Sequence, residues 1–297
     1  MITLNDVLIT QDHFPDGTLM LLDFPTQVVM TENQIIWYYD NDAELFTLYC
    51  VVRQINKIDS AAINDLTLPY IPNARMDRTK TNREVFTLKY FAEIINSMNF
   101  RHVYVLDPHS NVSTALLNNV VVKSVEPYIK EVIDDIEGVG IDKGEKYGGR
   151  AVIYFPDEGA MKRYKDLKVF EDRPMIYGKK DRDWATGTIK GLKVCDRDGV
   201  ELTTLKPYAR NGFVTVLMID DIVSYGGTLA YSGAKLKELG ATEVYAYATH
   251  TENSVLDNEK GTLRKKLEDG TVGELYTTDS IYTGENSRIT ILENTKL

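Results

Sequence analysis

Apolar positions along the chain fall into short runs with strand character, separated by stretches with helical spacing. Phe213 to Ile219 is an apolar run, interrupted only by Thr215, rich in β-branched residues and too short for a surface helix. It reads as a strand buried on both faces of a parallel sheet. Asp220 and Asp221 follow, where the strand is expected to end. A tight turn, Ser224-Tyr225-Gly226-Gly227-Thr228, leads into a helical stretch with apolar Leu229, Leu236 and Leu239, which Gly240 is placed to stop.

The same alternation extends over the rest of the chain. Val7 to Thr10 and Leu19 to Phe24 read as strands around a turn at Pro15-Asp16-Gly17. Asp42 to Lys57 is helical, with Leu45, Leu48, Val52 and Ile55 on one stripe. Leu66 to Ile71 is a strand, Glu84 to Met98 an amphipathic helix with Val85, Leu88, Phe91, Ala92 and Ile95 facing inward, and Val103 to Leu106 a short buried strand. In the second half Ala151 to Phe155 is a strand and a helix runs from Ala160. A hairpin is expected within Lys193 to Gly212, turning at Arg197-Asp198-Gly199, and late strands follow Glu274, including Ile289 to Leu292. Alternating strands and helices of these lengths predict an α/β protein with mainly parallel sheets flanked by helices. Ligands of such sheets bind beyond the carboxyl ends of the strands. The stretch RHVYVLDPHS (101–110) is echoed by TEVYAYATHT (242–251), as expected of a duplicated domain. The glycine-rich, charged segment Gly138 to Gly149 is the natural divide, giving domains 1–148 and 149–297.

Composition narrows the function. The chain has 297 residues, enough for about two domains, and 43% hydrophobic residues, which makes it globular. It lacks the apolar run of about 18 residues that a membrane span needs. Its start has neither the basic residues nor the apolar core of a signal peptide. Cys50 and Cys195 have no metal-ligand spacing and read as buried thiols, so a cytoplasmic protein is expected. The formal net charge of −10 disfavours nucleic acid and anionic membranes as partners. Basic clusters in so acidic a chain are therefore informative. Arg75 and Arg78 lie in Asn73 to Lys80, and Lys179, Lys180 and Arg182 lie in Gly178 to Trp184.

The turn at Ser224 to Thr228 presents backbone N–H groups, two of them from glycine, at a helix N-terminus. That geometry favours phosphate. Asp220 and Asp221 would repel phosphate, but they suit sugar hydroxyls or a divalent cation. Together these point to a ribose 5-phosphate ester. Each feature also has an ordinary structural reading. Phe14-Pro15-Asp16-Gly17-Thr18 fits a plain hairpin, Asp157 before a glycine fits a helix cap, and Lys179 to Arg182 fits a solvated loop. His13, His102 and His250 are read as structural.

Several motifs, in order, resemble the ribose-phosphate diphosphokinases, or phosphoribosyl diphosphate (PRPP) synthetases. They are FPDGT, PYIPNARMDRTK, DPHS, FPDEG, the KKDR cluster, and IDDIVSYGGT followed by GATEVYAYATH, and they span nearly the whole chain. The resemblance implies two tandem domains of the phosphoribosyltransferase type I fold, Rossmann-like, assembled into homo-oligomers with sites near subunit boundaries. It implies transfer of the β,γ-diphosphate of ATP to the anomeric hydroxyl of ribose 5-phosphate, with magnesium. By position it assigns Phe14, Asp16, Gly17, Thr18, Arg75, Met76 and Arg78 to ATP, and His109 and Asp157 to the metal. Lys180 and Arg182 match the Lys-x-Arg of a mobile catalytic loop, with Lys179 as the other candidate lysine. Asp220, Asp221, Ser224, Tyr225, Gly226, Gly227 and Thr228 match the ribose-phosphate site.

The chain departs from that family at informative places. Thr18 stands where the family has Glu, Met76 where it has Gln, and Ser224-Tyr225 where it has Asp-Thr. A tyrosine in a monophosphate cradle is unexpected and offers a stacking face. Both ribose 5-phosphate and ADP-ribose are therefore open as the acceptor, the latter giving an ADP-ribose 1-diphosphate useful for rebuilding NAD. Two other classes compete, a phosphoribosyltransferase that consumes PRPP and a non-catalytic regulatory homologue.

Overall fold

A computed structural model describes residues 1–138, 150–182 and 189–293, and for 180–182, 189 and 190 it describes the backbone alone. The chain is α/β and divides into two compact units, Met1–Ser124 and Val125–Glu293 among the described residues. The divide expected at Gly138 to Gly149 falls, beyond Gly138 itself, outside the described residues. The helix that precedes it belongs to the second unit.

The first unit opens with β1 (Ile2–Leu4), β2 (Val7–Leu8), β3 (Asp12–His13), β4 (Leu19–Met20) and β5 (Glu32–Trp37). It continues through α1 (Glu44–Ile58), β6 (Ile63–Leu68), α2 (Thr87–Ser97), β7 (Val103–Leu106), α3 (Asn111–Leu116) and β8 (Val120–Lys123). Its main sheet has the order β2-β1-β5-β6-β7-β8. Strands β5 to β8 are parallel, and β1 is antiparallel to β5. Ile35, Leu66 and Val103 from the strands pack with Leu48, Val52 and Ile55 of α1 and Leu88, Phe91 and Ile95 of α2. Of the predicted helical stripes, Leu48, Val52 and Ile55 and Leu88, Phe91, Ala92 and Ile95 are buried, while Leu45 is half-buried. Val85, expected to face inward, is exposed, because α2 begins only at Thr87.

The second unit contains α4 (Glu126–Glu137), β9 (Val152–Phe155), α5 (Glu158–Tyr164), β10 (Met175–Arg182), β11 (Ile189–Asp196) and β12 (Thr215–Val223). Beyond these lie α6 (Gly227–Glu238), β13 (Glu243–Thr251), α7 (Thr262–Glu268), β14 (Leu275–Thr278) and β15 (Ile289–Leu292). The sheet order is β11-β10-β9-β12-β13-β14-β15. All neighbouring pairs are parallel except β10 with β11. Val216, Leu217, Met218 and Ile219 of β12 are fully buried, as a central strand covered on both faces requires.

The two sheets share a motif of four parallel strands, β5-β6-β7-β8 in one and β9-β12-β13-β14 in the other. The echoed sequences lie on β7 and β13, which occupy the same place in that motif. Among the described residues no helix is long and apolar enough to cross a membrane.

Candidate active site

The second unit builds its candidate site at the carboxyl end of β12. The strand does not stop before Asp220 but continues through Val223, because its pairing with β13 runs on. Asp220 pairs with Ala248, Ile222 with His250 and Val223 with Thr251. Both acids are therefore fixed on a strand. The chain then turns through Ser224 and Tyr225 to Gly226, which caps α6 at a φ of +78°. A Cβ at Gly226 would lie 2.2 Å from Leu263 Cβ, so both the backbone conformation and the close approach of α7 require glycine there. Tyr225 C=O accepts from the N–H groups of Thr262 (2.9 Å) and Leu263 (3.2 Å), and from Thr262 Oγ1 (2.9 Å). The turn and the start of α7 thus form one braced element.

No side chain caps α6, and Gly227 and Thr228 in its first turn are exposed. Their N–H groups belong to the first helical turn, which lacks intrahelical acceptors, so a bound anion can take them. Substituting alanine for Gly226 is expected to cost about 2–5 kcal/mol, from left-handed backbone strain and the clash with Leu263. Thermal denaturation should show Tm lowered by about 5–15 °C. An unchanged Tm would mean that the turn can relax away from Leu263.

Asp220, Asp221 and Asp157 come together at neighbouring strand ends. Asp157 follows β9 and caps α5, its Oδ1 accepting from the N–H groups of Gly159 (2.9 Å) and Ala160 (3.0 Å). The ordinary reading of Asp157 as a helix cap is thus realised, and the cap fixes its carboxylate. Asp221 is buried and paired with Arg163 of α5, Oδ2 to Nη1 3.0 Å. Asp221 N–H donates to Asp220 Oδ1 at 3.0 Å. Removal from water, and then the adjacent charges of Asp221 and Asp157, push the Asp220 carboxyl well above the usual carboxylate range. Sequence reading missed Arg163, because nothing in the spacing of α5 singles out the one arginine that reaches an acid on another strand.

The cationic segment after Gly178 is not the loop expected from composition. It is the outer part of β10, which pairs with β9 only as far as Tyr177 and beyond that with β11 alone. A Cβ at Gly178 would fall 2.4 Å from Tyr154 Oη and 2.7 Å from the Pro156 carbonyl, so glycine is needed where the hairpin leaves the sheet. Lys180 and Arg182 lie on this ribbon opposite Leu192 and Ile189, with a register shift between Asp181 and Arg182. Their side chains, and Asp183, Trp184 and Gly187 entirely, lie outside the described residues.

In the first unit the ATP candidates fall into two places. Phe14 to Thr18 form the exposed tip of the β3–β4 hairpin, closed by Phe14 N–H to Thr18 C=O (2.9 Å). Asp16 Oδ1 accepts from Thr18 N–H (3.0 Å) and Thr18 Oγ1 (2.7 Å), and these bonds lower the Asp16 pKa. Thr18 thus serves the turn itself.

Arg75, Met76 and Arg78 follow β6 and are exposed, but Asp77 between them is buried. Arg78 clasps it with both arms, Nε to Oδ1 2.7 Å and Nη2 to Oδ2 3.0 Å. The Arg78 guanidinium above all, with Ser110 and His109 nearby, holds the Asp77 carboxyl down at about 2. Asp77 therefore links the loop after β6 to the loop after β7, where Asp107 is buried with a φ of +42°. Asp77 carries no motif of its own, and its only sequence signal is an acid inside a basic segment. His109 is half-buried beside it, and His250 is buried with Nδ1 2.8 Å from Ser280 Oγ. Among the described residues no group of three or more His, Cys, Asp or Glu side chains is arranged to hold a metal.

Comparison with known proteins places this architecture. No protein-family model matches the chain. A ribose-phosphate pyrophosphokinase of Saccharolobus solfataricus is 25% identical over 245 residues, covering 80% of this chain and 74% of its own. One from Bacillus subtilis is 27% identical over 249 residues, covering 82% and 68%. The crystal structure of phosphoribosylpyrophosphate synthetase from Mycobacterium smegmatis superposes with a TM-score of 0.71 at 18% identity, over 97% of this chain and 88% of that one. In sequence and fold the chain is similar to the ribose-phosphate pyrophosphokinases (PRPP synthetases), and it shares the two-domain α/β architecture of that structure.

Proposed function

We propose that the protein transfers the β,γ-diphosphate of ATP to the anomeric C1 hydroxyl of a ribose 5-phosphate ester. The C1 oxygen attacks Pβ, the bond from Pβ to the bridging oxygen of AMP breaks, AMP leaves, and the hydroxyl proton passes to solvent. The observation that carries this reading is the juxtaposition on β12 and α6 of a carboxylate pair with an uncapped, glycine-opened helix N-terminus. A sugar phosphate needs both features, hydrogen-bond acceptors for its hydroxyls and N–H donors for its phosphate. The names of the relatives support the same reading.

The residue roles follow from the chemistry. Asp220 and Asp221 hold the ribose hydroxyls, and Ser224 to Thr228 hold the 5-phosphate. Lys180 and Arg182 offset the charge that spreads over the transferred phosphoryl oxygens. Arg75, Met76, Arg78 and the hairpin tip Phe14 to Thr18 take ATP. His109 and Asp157 are the residues for Mg2+, which when bound neutralises the diphosphate. The Asp157 carboxylate is an oxygen donor of the kind that ion prefers, and because the ion keeps several waters a few protein ligands suffice. We place the protein in the cytoplasm as a homo-oligomer. ADP-ribose stands beside ribose 5-phosphate as acceptor because Tyr225, 40% exposed, stands at the cradle.

The test is AMP release from ATP and MgCl2 with each acceptor, followed by product mass. Acceptor-dependent AMP and a product heavier by a diphosphate are expected. Turnover of PRPP with a nucleobase and without ATP would instead make the protein a phosphoribosyltransferase.

A further inference from the structure

We infer that Lys260 and Tyr225 form a subsite that reads what is attached to the far side of the 5-phosphate, selecting a ribose joined to a nucleoside diphosphate over a simple monoester. The inference rests on the reading of Ser224 to Thr228 as a 5-phosphate cradle. Lys260 Nζ lies 5.9 Å from the centroid of the Tyr225 ring, and both side chains are exposed. The pair is fixed by the backbone on each side. Asp257 Oδ1 accepts from the N–H groups of Lys260 (2.7 Å) and Glu259 (2.9 Å), and Asp257 C=O accepts from Gly261 N–H (3.0 Å). Two residues on, Thr262 clasps the Tyr225 carbonyl through both its N–H and its hydroxyl, at 2.9 Å each. The turn that carries the lysine is thus fastened to the residue that carries the ring.

A monoester phosphate is satisfied by the N–H groups of the turn and the N-terminus of α6. It gives no occupation to an aromatic face and an ammonium on the outer rim. A second phosphoryl group brings a further negative charge, which a compact ammonium matches, and a planar base can stack on the tyrosine ring. The two side chains therefore suit one ligand class, an anhydride-linked nucleotide on the ribose 5-position. Lys260 acts on specificity rather than on the reacting atoms.

The experiment compares kcat/KM for ADP-ribose and ribose 5-phosphate, with ATP and MgCl2, in the wild type, Lys260→Gln and Lys260→Arg. Lys260→Gln is expected to lower the ratio of the two constants about tenfold, the worth of one charge-assisted contact, through KM for ADP-ribose. Lys260→Arg should keep the ratio within about threefold, since the charge remains. A Lys260→Gln loss that falls equally on both acceptors overturns the inference, as does a wild type that turns over ribose 5-phosphate but not ADP-ribose. In the latter case the diphosphokinase reading stands. Failure to release AMP with either acceptor overturns that reading, and the inference with it.

Discussion

Replacing Lys180 by alanine is expected to lower kcat for AMP formation about a thousandfold while leaving KM for ATP within a few-fold. Diphosphate transfer asks little covalent chemistry of the protein. Its catalytic power comes from positioning and from positive charge aimed at oxygens whose charge changes only as Pβ is transferred. A cation with that role stabilises the transition state more than bound ATP, so its loss appears in kcat rather than in KM. The backbone supports this place for Lys180. Beyond Tyr177 β10 has only β11 beside it, so Lys179 to Arg182 run on past the carboxyl end of β9, the end at which Asp157 and the β12 acids also lie. A two-stranded ribbon held on one side can close over a ligand and exclude the water that would hydrolyse ATP. Lys179 is the control. It is exposed and sits opposite Lys193, and alanine there is expected to change kcat less than about tenfold. If Lys179→Ala shows the large loss and Lys180→Ala does not, the catalytic lysine is Lys179. If neither variant loses activity, the ribbon is not the catalytic element.

The sequence made legible what depends on local pattern. The run up to Ile219 marks the central strand, the stripe at Leu48, Val52 and Ile55 marks the buried face of α1, and α6 ends at Glu238, ahead of Gly240. Val103–Leu106 and Ile289–Leu292 have the bounds that their composition suggests. What was not legible depends on partners distant in the chain. Asp220 and Asp221 look like residues beyond a strand, yet strand pairing with Ala248 to Thr251 carries the backbone four residues past Ile219. Gly178 to Arg182 look like a loop because the charges hide their pairing with the 189–194 segment. Glu32–Trp37 was missed as β5 because Asn33, polar by type, is buried and satisfied by Asn5 and Met30. In the candidate site the motif residues could be named in advance. Arg163 against Asp221, Asp77 between two loops, and Lys260 against Tyr225 are fixed only by tertiary packing.

Asparagine at position 220 is expected to reduce kcat/KM about a hundredfold or more, and at the same time to raise thermal stability at pH 8. The first effect follows from the proposed role. A carboxylate that accepts from ribose hydroxyls makes charge-assisted bonds, and a neutral amide both weakens acceptance and presents an N–H where an acceptor is needed. The second follows from a half-buried position beside two other acids. Desolvation, Asp221 and Asp157 raise the Asp220 pKa in the folded protein well above its unfolded value of about 3.9. The folded state therefore binds this proton more tightly than the unfolded state. Asp220 costs the fold nothing below the unfolded pKa, and stability falls as pH rises from there through the folded pKa. Above that interval the full cost is present, and asparagine removes it. Tm measured from pH 3 to pH 8 should show the variant and the wild type equal at the acid end and the variant more stable at the alkaline end. Activity should move the opposite way, with wild-type kcat/KM falling as acid protonates Asp220 at a pH above the ordinary carboxylate range. A variant that is less stable at pH 8 would mean that the Asp220 charge is compensated in the fold, and the acid would then be structural rather than held ready for a sugar. Activity and stability moving in opposite directions on one substitution is the mark of a carboxylate kept for a ligand at the expense of the fold.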